Sequence, residues 1–251
     1  MIELREHLKV LAEKHNLVGV KGGTEVEAMT FKEIKLMREI SRGIVPMTVK
    51  IGGPEARNDI EYMLNIGIDK ILAPMIESSY SLKNFVDACH SLVKIGKAAL
   101  AINIETITAY NALNAIFKSP FFRHIEQVTV GRSDLSASME KNVDDAEVTA
   151  ATKNIVDLAK LLGKQTSTGG KINPCNALSI QKKIGSDFIN TRHMVVKCGS
   201  KTISDDVESA LGWEKKFYDF LITVFPERID FYKNLISSIE SRIEVAAKVL
   251  I

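Results

Sequence analysis

Four times along the chain a helix-like segment closes on an apolar residue followed by glycine, and a β-rich run begins within a few residues. The four are Ile66-Gly67 before KILAPMIE, Ile95-Gly96 before ALAINIET, Leu162-Gly163 before QTSTGG, and Ile184-Gly185 before FINTRHMVV. Glycine suits the residue just past a helix because that position often needs a positive φ, which a side chain resists. Each pair therefore marks a helix-to-strand turn. Helix starts are legible too: Thr30 with Glu33 forms a capping-box pattern, Pro54 reads as a first-turn proline, and Asn173-Pro174 opens the segment ending at Gly185. Strands are expected over 17–22, 45–53, 70–77, 98–106, 127–135, 164–170 and 187–196, several of them near-continuous apolar runs of the kind parallel strands need when both faces are covered.

Alternation of strand and helix over the whole length implies an α/β fold with right-handed crossovers. With 251 residues the chain suits one (β/α)8 TIM-type barrel, although only seven strands are evident and closure needs an eighth. An open doubly wound sheet stays as the alternative, but KGGTEVEA after the first strand lacks the G-x-G-x-x-G spacing of a dinucleotide site. Beyond Ser204 two amphipathic segments, 205–224 and 227–250, read as helices. A single domain over 1–251 is expected, with 205–251 a helical C-terminal extension suited to packing on a neighbouring subunit of a homo-oligomer.

Charge narrows the function. Lys and Arg number 33 against 31 for Asp and Glu, and no dense basic run tracks a phosphate backbone, so nucleic acid is not an expected partner. No stretch has the length and apolarity of a membrane span or a secretory signal. Cys89, Cys175 and Cys198 are odd in number and widely spaced, which argues against disulfides and structural zinc. A cytoplasmic location follows as the expectation. The cysteines read as packing residues, and the five histidines show no spacing that suggests ligation.

In an α/β barrel chemistry gathers at the C-terminal ends of the strands. Those ends carry Lys21 and Glu25, Lys50, Glu77, Glu105, Arg132 and Asp134, Gly169-Gly170, and Arg192. Glu105 and Asp134 come from adjacent strands, which suits oxygen ligation of Mg2+ or Mn2+; structural ion pairs explain the two carboxylates equally well on spacing alone. For Glu77, orientation of a metal-bound water and capping of the next helix are balanced. Arg132 either faces substrate or pairs with a neighbouring carboxylate, and Arg192 is expected beneath the site. Gly199-Ser200 follows the last strand, where barrels often bind phosphate.

The segments VKIGGPEARNDI, ILAPMIES, INIETITAYNAL and VGRSDLSASM, in that order, resemble the HpcH/HpaI aldolase and citrate lyase β-subunit family of the phosphoenolpyruvate/pyruvate barrel superfamily. TSTGGKINP and FINTRHMVV extend the resemblance over about residues 17 to 220. It implies that Glu105 of the I-E-T strand and Asp134 of G-R-x-D-L bind a divalent metal, Mg2+ or Mn2+, which stabilises a pyruvate-type enolate. The implied activity is a metal-dependent carbon–carbon lyase or aldolase acting on a 2-oxo acid or a citryl-type acyl thioester. Backbone N–H groups in the Gly131 to Leu135 turn, those of Gly131, Ser133 and Leu135, are then the expected partners of the substrate carboxylate. The chain departs from the pattern at two points. Lys50 stands where many members have Arg, and the acidic-His pair of the aldolase branch is replaced by Lys21, Glu25 and Glu27, leaving Glu25 or Glu77 to assist proton movement. A non-catalytic or regulatory barrel that binds metal and 2-oxo acid, and the same chemistry run as a condensation, are the competing expectations.

Overall fold

The computed structural model describes residues 1–249. The chain opens with α1 (Ile2–Lys14), β1 (Leu17–Gly23), α2 (Phe31–Ser41), β2 (Met47–Lys50), α3 (Arg57–Asn65), β3 (Lys70–Ala73) and α4 (Ser79–Ser91). It continues with β4 (Ala99–Ile104), the short helices α5 (Ile107–Asn111) and α6 (Leu113–Phe117), β5 (Gln127–Gly131), α7 (Arg132–Ser138), α8 (Ala146–Leu161) and β6 (Gln165–Gly169). The remainder is α9 (Pro174–Ile184), β7 (Phe188–Asn190), β8 (Met194–Lys197), α10 (Ile203–Val224) and α11 (Ile229–Val249).

The eight strands close a barrel in sequence order. From β1 to β7 every neighbouring pair is parallel. The missing eighth strand comes from the run 187–196, which is two strands rather than one. β8 turns back after Asn190 and pairs antiparallel with both β7 and β1, closing the barrel. A three-residue reversal, Thr191 to His193, makes this possible. Thr191 donates its N–H to the Met194 carbonyl at 3.0 Å, and the buried Glu214 of α10 accepts from the Thr191 hydroxyl and the His193 N–H, both at 2.5 Å. A run with no glycine or proline inside it gives periodicity nothing with which to mark such a turn.

Several local signals act as expected. Thr30 and Glu33 form the capping box of α2, Asn173 caps α9 with Pro174 in its first turn, and Gly67, Gly163 and Gly185 all take positive φ. Gly96 does not take positive φ. A side chain there would meet the Leu64 carbonyl oxygen at 3.0 Å, so that glycine serves close approach. Pro54 precedes α3 by a turn and does not open it, since the helix begins at Arg57.

Because β8 runs backwards, Gly199-Ser200 lies at the opposite end of the barrel from Glu105 and Asp134. Gly199 borders the cleft formed by Lys164, Gln165 and Asp187 at the starts of β6 and β7. The expectation of a phosphate position beside the site fails there for that reason. α10 then climbs the barrel wall, packed against α1 and β8, with Trp213 fully buried and its Nε1–H donating to the Leu4 carbonyl at 3.0 Å. No helix among the described residues is long and apolar enough to cross a membrane.

α11 folds back over the C-terminal mouth and packs on α10 and α9. Two anchors set its course. Near its start the Tyr232 hydroxyl donates to Glu33 Oε1, and Arg228, just before α11, pairs with Glu33 Oε2 at 2.6 Å and with the Ala28 carbonyl at 2.8 Å. Farther along, Arg242 donates to the Ile172 carbonyl in the loop after β6. The helix thus straps the mouth from the β1 side to the β6 side; residues 250 and 251 of the expected extension lie outside the described residues.

Candidate active site

β4 ends at Ile104, and the next residue, Glu105, carries its carboxylate into the barrel mouth, where only 1% of its surface is exposed. Two donors orient it: the Met75 N–H reaches Oε1 at 3.0 Å and the Asn103 side-chain amide reaches Oε2 at 2.7 Å. A carboxylate has about four lone-pair positions, so two remain for another partner. Burial, reinforced by the neighbouring Asp134 charge, pushes the Glu105 carboxyl above its usual range in spite of the opposing pull of Lys50. Two carboxylates that repel one another in a sheltered mouth suit a cation between them.

Asp134 sits in the first turn of α7, which follows β5 without an intervening loop. Gly131 joins the two elements, and a Cβ there would fall 2.5 Å from Glu105 Oε2, so this glycine is required for the carboxylate to occupy its place. Gly131, Ser133, Glu105 and Asp134 line one cavity of about 340 Å3. Leu135 does not. Its side chain is fully buried in the core, and as the fourth residue of α7 its N–H closes the first helical hydrogen bond.

On the facing side, the ends of β1 and β2 supply Lys21 and Lys50, each already paired. Lys21 Nζ lies 2.8 Å from Glu27 Oε1, and Lys50, only 3% exposed, pairs with Glu25. Burial alone would raise the Glu27 pKa, but Lys21 and then Lys50 outweigh it and hold the group at about 2. Burial would likewise depress Lys50; the carboxylates of Glu27, Glu105 and Glu25 reverse that and shift it upward. Lys50 is therefore a fixed positive charge amid three carboxylates. Glu27, deprotonated at all ordinary pH values, is a poor proton carrier. Glu25 is only partly buried and holds Lys50 from the solvent side.

Two expected residues point elsewhere. The Arg132 side chain is buried beneath α7, donating to the Val143 carbonyl at 2.6 Å and pairing with Asp144, and it does not line the mouth. The cause is local: as the first residue of α7 it faces the segment leading into α8 rather than the barrel axis. Glu77 also stands outside the cavity. It accepts from the Thr106 hydroxyl at 2.5 Å, beside Glu105, while Ser78 caps α4. Its place is to brace the end of β4, not to close its own helix.

Other residues in the mouth carry no local mark in the sequence. Arg192, expected beneath the site, lines the cavity from the β7–β8 turn, and Arg242 and Ser238 reach it from α11. Asn103 and Asn190 each keep a buried side-chain oxygen with no protein partner. Asn103 is the exception, since it stands two residues before Glu105 on the same strand face and could have been found by that spacing. Nothing local points to Arg242. Gly170, at φ +97°, lets the loop after β6 lie against α7, where a side chain would meet the Ser133 backbone nitrogen at 2.6 Å.

Glu105 and Asp134 offer hard oxygen donors to the cavity. No group of three or more His, Cys, Asp or Glu side chains placed to hold an ion occurs among the described residues. That pattern suits Mg2+ or Mn2+, which keep positions for water and substrate, better than zinc or a calcium cage.

A closed barrel with paired carboxylates at the C-terminal ends of β4 and β5 defines an α/β-barrel protein with an enzyme-type mouth. Residues 48–168 match the model of the HpcH/HpaI aldolase/citrate lyase family. By the family's description it comprises aldolases and citrate lyases, enzymes that break or form carbon–carbon bonds. Among solved structures, an HpcH/HpaI aldolase from Desulfitobacterium hafniense DCB-2 superposes with a TM-score of 0.60 at 13% identity, covering 75% of this chain and 81% of its own. A family protein from Burkholderia cenocepacia J2315 gives 0.59 at 13% identity, covering 74% and 82%. The citrate synthase SbnG gives 0.56 at 15% identity, covering 86% and 90%. At these identities the likeness concerns the fold. No curated protein matches the chain by sequence.

Proposed function

We propose that this protein is a divalent-metal-dependent carbon–carbon lyase or aldolase whose substrate contains a 2-oxo acid or citryl-type thioester unit. The observation that carries the proposal is Glu105, buried, oriented by Met75 and Asn103, and sharing one cavity with Asp134. Glu105 and Asp134 would hold Mg2+ or Mn2+. When bound, such an ion polarises a carbonyl oxygen and stabilises the enolate left when a carbon–carbon bond breaks, or consumed when one forms.

The chain's own residues do the rest. Asn103 and Met75 keep Glu105 from rotating, and Lys50 adds a fixed positive charge near an oxyanion in that corner. Gly131 and Ser133 line the cavity at the start of α7, where first-turn N–H groups have no intrahelical partner and suit a carboxylate oxygen. α11 covers the mouth and limits water, which strengthens each electrostatic contact beneath it. With Glu27 locked by Lys21 and Lys50, the proton in either direction is carried by Glu25 or by water.

The test is calorimetric titration of metal-stripped protein with Mg2+ or Mn2+, followed by oxalate, a planar enolate mimic. Metal-dependent oxalate binding that disappears in Asp134→Asn and Glu105→Gln is the expected result. Oxalate binding of equal strength with and without metal would refute the proposal.

A further inference from the structure

Arg192 and Arg242 are not explained by the enolate site. Both line the mouth cavity, one from the turn after β7 and the other from the strap helix α11. The ion pairs around the mouth are Lys21–Glu27, Lys50–Glu25, Arg132–Asp144 and Arg228–Glu33, and neither arginine belongs to them. Their partners among the described residues are backbone carbonyls: Val26 for Arg192 at 3.3 Å, and Ile172 for Arg242. Each guanidinium has five N–H donors in a fixed fork, so most of that capacity is unused.

Burial lowers the Arg242 pKa, and the nearby Arg192 charge lowers it further, with Glu214, lying behind them, as the leading opposing influence. Placing like charges together in a half-buried mouth is costly unless something anionic arrives. The charge balance points the same way. Lys21 and Lys50 are satisfied by glutamates, and a dication would neutralise Glu105 and Asp134, which leaves the two guanidiniums balanced only by the single buried carboxylate of Glu214. Arg192 follows β7 and Arg242 touches the loop after β6, so both lie around the rim from β4. The cavity, about 340 Å3, is larger than a three-carbon acid fills.

We infer that Arg192 and Arg242 form a second anion subsite, and that the full substrate is a polycarboxylate whose distal carboxylate docks on these two guanidiniums. The inference rests on the enolate-site reading and adds the charge of the substrate's far end. Planar bidentate recognition favours a carboxylate. Because Arg242 is carried on α11, an acid that spans the site also ties the strap to the barrel.

The test compares acids of equal length with and without the distal carboxylate, titrated into the Mg2+-supplemented full chain. The pairs are 2-oxovalerate with 2-oxoglutarate, and 2-oxohexanoate with 2-oxoadipate, with oxalate as the probe of the metal end. At least one diacid is expected to bind about tenfold more tightly than its partner, the effect of one charge-assisted contact. That advantage should vanish in Arg192→Gln and Arg242→Gln while oxalate affinity stays within about twofold. Arg242→Gln also removes the support of the Ile172 loop, so Arg192→Gln, which gives up only a 3.3 Å bond, decides if the other variant melts early. Oxalate binding with no diacid advantage, or an advantage that survives Arg192→Gln, overturns the subsite. Absence of oxalate binding in the wild type removes the enolate site, and the subsite with it.

Discussion

The Cβ position of Gly131 lies 2.5 Å from Glu105 Oε2 and 3.0 Å from Glu105 Cβ. Gly131 has φ −85°, which alanine tolerates, so the constraint is contact and not backbone conformation. Gly131→Ala is therefore expected to displace the Glu105 carboxylate. Overpacking should cost about 1–3 kcal/mol, and metal-dependent oxalate affinity should fall at least about tenfold. A folded Gly131→Ala protein that binds metal and oxalate like the wild type would show that Glu105 is not a ligand.

Glu27 links the mouth to acid stability. Its pKa falls from 4.5 to about 2 in the folded protein, so its ionised form is favoured by folding. The contribution, roughly 3 kcal/mol at neutral pH, is fully present above about pH 4.5 and is lost as the pH falls towards 2. Lys21→Met removes the leading favourable partner. The variant should be less stable at about pH 7, and its deficit should shrink as the pH is lowered from about 6 to about 3 in urea titrations. Parallel curves for variant and wild type would disprove this assignment.

Glu33 holds three elements together at once: it completes the α2 capping box and receives both Tyr232 and Arg228. Glu33→Ala leaves the partly exposed Arg228 without its carboxylate and the buried Tyr232 hydroxyl without its acceptor, and should cost about 1–3 kcal/mol, the penalty for a buried donor left unpaired. Limited proteolysis should then cut α11 first, while the helical circular dichroism of the barrel persists. Resistance of α11 equal to the wild type would mean that the strap is held elsewhere.

The three cysteines differ sharply in environment. Burial pushes the Cys89 thiol up to about 12 and the Cys198 thiol up to about 11, whereas Cys175 is exposed. An aromatic disulfide reagent at about pH 7.5 should titrate one cysteine fast and the others at least about tenfold more slowly, because only the thiolate reacts. Cys175→Ser should remove the fast phase; a fast phase that persists would show that a buried cysteine is reached through local opening.

Much of this molecule is written locally. The capping boxes at Thr30 and Asn173 and the positive-φ glycines at 67, 163 and 185 are decided within one helical turn, and they are visible for that reason. Apolar runs with a carboxylate at the end identify β4 and β5, and that pattern alone brings Glu105 and Asp134 to one rim of the barrel. The reversal at Thr191 was not legible, since both halves of the hairpin are equally apolar and the groups that fix it, Glu214 among them, lie more than twenty residues away.

The alternation that makes a barrel and the strand ends that bear the carboxylates are legible in the linear chain, because both depend on neighbours within a few residues. The charge environment of the mouth exists only once the chain has closed. Arg132 turned to Asp144 and Lys21 to Glu27, whereas Arg242 arrived from a helix seventy residues beyond the loop it touches. A charged side chain takes its partner from whatever the closed chain brings within reach, and that selection operates across distances in sequence for which no local pattern exists.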